Sequence, residues 1–73
     1  MRSFYHFAMP YRGIQQKDDE RRQLAEAMFH DHDFPKQSVD YDEISQHFEM
    51  NSPFPGAVQV FDRLWQEYEE HGS

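Results

Sequence analysis

The sequence contains no cysteine, so neither a disulfide framework nor a thiolate metal site can supplement its core, and nothing in it points to an oxidising compartment. No stretch approaches the roughly 20 apolar residues of a membrane-spanning helix. The opening MRSFYHFAMP holds one arginine and a short apolar run broken by His6 and Pro10, too short and too polar for a secretory signal. Basic residues are scarce as well: 7 Lys and Arg face 14 Asp and Glu, a formal net charge of −7. That balance opposes general affinity for nucleic acid, which comes mostly from cations neutralising phosphates. The three glycines, at 13, 56 and 72, are too scattered for a phosphate-cradling loop. The expectation is a soluble cytoplasmic protein without membrane contact.

What is present is aromatic and charged. Phe, Tyr and Trp make up 16% of the 73 residues. A chain this short leaves only a few kcal/mol of net stability from one core, so each large apolar side chain is expected to pack. The charge is unevenly spread. Residues 1–36 carry six cations and six carboxylates, whereas residues 37–73 carry only Arg63 against eight acids. A local basic patch in the first half would be concealed by the overall balance.

Four helical segments account for nearly all of residues 1–73, read as one domain. In SFYHFAMPYRG, Ser3 has the chemistry of an N-cap, Phe4, Phe7, Ala8 and Tyr11 recur at helical spacing, and Gly13 is placed to end the helix in a left-handed conformation. Pro10 predicts a kink or a short helix, because it cannot donate to the carbonyl of His6. A second helix opens around Asp18, Asp19 and Glu20, with Leu24, Ala25, Met28 and Phe29 as its buried stripe. The third has Asp40 and Glu43 at capping-box spacing and Tyr41, Ile44 and Phe48 on one face. For the fourth, Ser52 reads as N-cap, with Pro53 and Pro55 inside the first turn, and Ala57, Val58, Phe61, Leu64, Trp65 and Tyr68 make a broad apolar face over about 25 Å. No stretch alternates in the manner of a strand.

The stretch HDHDFPK at residues 30–36 is the one place that suggests chemistry. At the end of a helix, however, His30 and His32 lie about 200° apart around the axis and do not converge on an ion. A helical pair of metal histidines needs a spacing of three or four. A histidine in a last turn instead meets the negative end of the helix dipole. No serine sits in a nucleophile context. Catalytic, cofactor and metal residues are therefore assigned as none.

Taken together, SFYHF at 3–7, Tyr11 with Arg12, Lys17 with Asp18, DHDFPK at 31–36, DYDEIS at 40–45, and then Glu49, Asn51, Phe61, Asp62, Trp65 and Tyr68 resemble the YozE-like family of small bacterial proteins. The match runs nearly the full length. The resemblance implies an all-α, sterile-alpha-motif-like bundle of four to five short helices, and no established activity, cofactor or active site. By fold analogy, two functions follow: a non-catalytic protein-interaction module, whose acidic second half suits a basic partner, or a nucleic-acid-binding domain. The second requires a small basic patch, for which Arg12, Lys17, Arg21, Arg22 and Lys36 are the candidates. Their alternative is pairing with Asp18, Asp19 and Glu26. What separates the two is whether the five cations converge on a face free of carboxylates.

Overall fold

The computed structural model describes residues 1–72 and is all-helical among them. Ser3 takes extended backbone, and its hydroxyl accepts from the His6 amide at 3.1 Å. This starts α1, Phe4–Ala8. Pro10 ends the α geometry at once, and the chain tightens into a 3₁₀ helix over Met9–Gly13, where a missing amide is better tolerated. Gly13 does not adopt the left-handed conformation expected of it. The end is made instead by Ile14, which is extended and returns its amide to the Tyr11 carbonyl at 3.2 Å.

Helix α2 spans Glu20–His30. Asp19 caps it by accepting from the Arg21 amide at 2.9 Å, with Glu20 in the first turn beside the positive end of the dipole. Leu24, Ala25 and Met28 are buried as expected, but Phe29 is 43% exposed. It lies at the edge of the stripe, where no helix covers it; the Arg12 guanidinium does, 3.6 Å from the ring centroid.

Helix α3 spans Tyr41–Met50 and is capped by Asp40, which accepts from the Asp42 amide at 3.0 Å. The expected reciprocal bond from Glu43 is replaced. The Asp40 amide donates to Ser38 Oγ at 3.1 Å, so the loop rather than the helix satisfies that donor.

Helix α4 spans Ala57–Glu67, beginning later than Ser52 predicts. Each of Ser52 and Phe54 precedes a proline, which disfavours helical backbone at both. Ser52 Oγ donates to the Phe54 carbonyl at 2.9 Å instead of capping an amide. Gly56, at φ 85°, makes the turn into the helix. The 11 residues of α4 give about 16 Å at 1.5 Å per residue. Tyr68–Gly72 continue the helix with π geometry.

Helix α4 packs against both α2 and α3, and α1 with its 3₁₀ extension closes the remaining side against α2 and the C-terminal π turn. The centre is aromatic. Phe4 is fully buried, with its ring centroid 5.2 Å from Phe61, 5.4 Å from Trp65 and 5.7 Å from Tyr68. The Tyr68 hydroxyl donates to the Arg2 carbonyl, joining the two ends of the chain, and burial pushes its phenol up from the ordinary value. No helix among the described residues is long and apolar enough to cross a membrane.

Candidate interaction surfaces

The five candidate cations are distributed over several sites. Arg21 folds onto its own helix cap: Nε donates to Asp19 Oδ1 at 3.1 Å and Nη2 to Asp19 Oδ2 at 2.9 Å. This bidentate bond is the main reason the Asp19 carboxyl is lowered to about 2. Arg12 reaches from the 3₁₀ helix to α2, where its Nε donates to Glu26 Oε1 at 3.0 Å while its guanidinium lies over Phe29. Glu26 is held below the ordinary range, first by that bond. Arg22 Nη1 donates to the carbonyls of Ile14 and Gln15, at 3.1 and 3.4 Å, and so pins the loop before α2. Lys36 sits 5.6 Å from the Tyr5 ring centroid, beside Arg2 and His6.

Lys17 and Arg22 share one groove with Glu26 and Phe54. Arg21 lines another with Asp18, Asp19, Glu20, Arg63 and Glu67. Lys36 belongs to neither. The cations thus do not gather on one carboxylate-free face, and the charges of Arg12 and Arg21 are engaged by Glu26 and Asp19.

The HDHDFPK stretch resolves into a helix end and a turn. His30 closes α2 and approaches Glu26 Oε2 at 3.4 Å, four residues back. Asp31 Oδ1 accepts from the Asp33 amide at 2.9 Å and fixes the turn. Its other oxygen, Oδ2, lies 2.6 Å from His47 Nε2 on α3. That contact is half-shielded from water, and it is the first cause of the lowered Asp31 carboxyl. Phe34 meets the His47 ring edge-on at 5.3 Å. Asp31 and His47 are 16 positions apart, and no spacing rule could have brought them together. No group of three or more His, Cys, Asp or Glu able to hold a metal ion occurs among the described residues.

The start of α3 forms a different surface. Val39 is 48% exposed and Tyr41 37% exposed, two large apolar side chains within three residues of chain. Tyr41 stacks on Phe61 at 5.4 Å, and its hydroxyl donates to Asp62 at 2.6 Å. That bond leads the causes that raise the Tyr41 phenol. Asp40, Asp42 and Glu43 are exposed around it. α3 contains no lysine or arginine, and the nearest cation in sequence on α4, Arg63, points to Glu20 at 3.7 Å.

A bundle of short helices around an aromatic centre, with its polar chemistry spread over the outside, defines a small all-α domain of sterile-alpha-motif-like build. The family model described as the YozE SAM-like fold matches residues 3–70, and the chain belongs to that family. It is 40% identical to the UPF0346 protein YozE of Bacillus subtilis (strain 168) over 74 aligned positions, covering 99% of each chain. It is also 44% identical to the UPF0346 protein YuiB of Lactococcus lactis, over 93% of this chain and 97% of that one. The UPF0346 protein lin1971 of Listeria innocua is 39% identical over 92% of this chain and 86% of its own. No solved structure gives a significant match.

Proposed function

We propose that the protein is a non-catalytic interaction module and that the start of α3 binds a basic segment of another protein. The observation that carries this reading is the pairing of half-exposed Val39 and Tyr41 with a rim of Asp40, Asp42, Glu43 and Asp62. Exposed apolar side chains inside a polar ring have the anatomy of an interface core and its rim. The rim is uniformly acidic, so it favours a cationic partner and repels nucleic acid. Support for a non-catalytic reading comes from four carboxylates that already serve the fold. Asp19 and Asp40 cap helices, Asp31 fixes a turn, and Glu26 holds Arg12. A nucleic-acid role has less support, because two of its five candidate cations are already paired with carboxylates.

The test is crosslinking capture from cell extract with wild-type protein and with the double variant Asp42→Lys, Glu43→Lys, both nuclease-treated. Both positions are exposed and neither is the cap, so the variant should fold. A protein captured by the wild type and lost with the variant is expected. Capture unchanged by the charge reversal, or abolished by nuclease alone, would defeat the reading.

A further inference from the structure

We propose that the groove between α2 and the 52–56 turn is a second docking site, opposite in charge, for an acidic peptide segment that carries an apolar side chain. The groove has a volume of about 420 Å³, within the range of roughly 300–1,000 Å³ typical of binding clefts. Its apolar lining is Ala27, Pro53 and Phe54, and its cations are Lys17 and Arg22. Phe54 is half-buried and packs against the core, so this surface is fixed by the fold.

Three features give the groove its sign. Lys17 is exposed and, among the described residues, makes no hydrogen bond, ion pair or ring contact. Arg22 is held by two backbone carbonyls, which orient the guanidinium without cancelling its charge, so little side-chain entropy remains to be lost on binding. Glu26, the one carboxylate in the lining, already faces Arg12 and His30. Locally, therefore, Lys17 and Arg22 face a single acid that Arg12 already pairs, although the chain as a whole is strongly negative. The acids at the start of α2 do not reverse this, because Asp18, Asp19 and Glu20 line the separate groove toward α4 with Arg21 and Arg63.

A peptide carboxylate beside a leucine or phenylalanine would meet cations and dry surface together. A nucleic acid strand fits less well, since its affinity depends on several phosphates being neutralised at once and only Lys17 and Arg22 are free of carboxylate bonds here.

The experiment uses the full chain, ¹⁵N-labelled, and a fluorescein-labelled peptide of sequence Gly-Glu-Asp-Leu-Phe-Glu-Asp-Gly. Three comparison probes accompany it: the same peptide with Gln and Asn for its acids, the same peptide with Gly-Ser for Leu-Phe, and a single-stranded RNA oligonucleotide. The acidic apolar peptide is expected to bind more tightly than every comparison probe, with amide shift changes confined to 17–27 and 53–57. Lys17→Glu, which breaks no contact, should weaken binding about fivefold or more and leave the melting temperature in place. Equal binding of the neutral peptide, tighter binding of the RNA, shifts centred on α3, or indifference to Lys17→Glu would each overturn the proposal.

Discussion

Replacing Phe4 by alanine tests the packing most severely, because the residue belongs to a helix of only five residues that has no stability of its own. Its ring is fully buried, lies edge-on to Phe61 and Tyr68 and packs against Trp65 and Phe7. Truncating a buried phenylalanine costs about 3–5 kcal/mol through lost transfer and residual cavity. A chain of 73 residues has about 4–11 kcal/mol to lose, at roughly 0.05–0.15 kcal/mol per residue. Phe4→Ala should thus leave a marginal or unfolded protein. Phe4→Leu, which keeps most of the volume but none of the ring pairs, should cost about 1–2 kcal/mol. Urea unfolding followed by far-ultraviolet circular dichroism and by Trp65 fluorescence gives both values. A loss under about 1 kcal/mol for Phe4→Ala, with an unchanged denaturant slope, would show that α1 is not docked as described.

Gly56 and Gly13 should respond differently to alanine. Gly56→Ala should cost about 1 kcal/mol, because φ is 85° there and a side chain is strained in that region even though the nearest foreign atom is an ordinary 3.8 Å away. Gly13→Ala, at a negative φ with open space around it, should be neutral or gain about 0.5 kcal/mol; thermal melts of the two variants decide. The Asp31–His47 contact predicts a pH dependence. The folded Asp31 carboxyl is lowered from the ordinary 3.8, so its contribution is fully present above that value and disappears as pH falls through the lower folded value. Asp31→Asn should therefore flatten the acid limb of the stability profile below about pH 4, measured by urea titrations at successive pH values; an unchanged limb would refute the assignment. Chelator should leave the melting temperature unchanged, since a structural ion would contribute directly to folding.

Local rules made much of this fold legible in the sequence. Ser3 and Asp40 cap where their chemistry says they should, and Pro10 shortens α1 by the loss of its amide. Rules applied at a single position failed where two constraints met. Ser52 reads as a cap as long as Pro53 and Pro55 are weighed only for the amides they lack; each proline also disfavours helix at the residue before it, and α4 begins at Ala57. Phe29 satisfies the helical period but sits at the margin of the stripe and stays 43% exposed, and only the folded position of Arg12 shows what covers the rest of its ring. The surfaces were legible only as charge totals. Arg12 with Glu26, Asp31 with His47, and Tyr41 with Asp62 are 14, 16 and 21 positions apart, set by helix packing rather than by period. The division of the α2 charges between two grooves is likewise invisible until the 52–56 turn and α4 are in place.

Titration of labelled single-stranded RNA and duplex DNA with the protein at physiological ionic strength, repeated across a salt series, separates the two functional classes most directly. An acidic interaction module should bind both negligibly, because a net charge of −7 repels the strand and few free cations answer it. Sub-micromolar binding that falls with salt at a log–log slope near −1 per phosphate neutralised, and that Lys17→Glu or Arg22→Glu abolishes, would contradict the account.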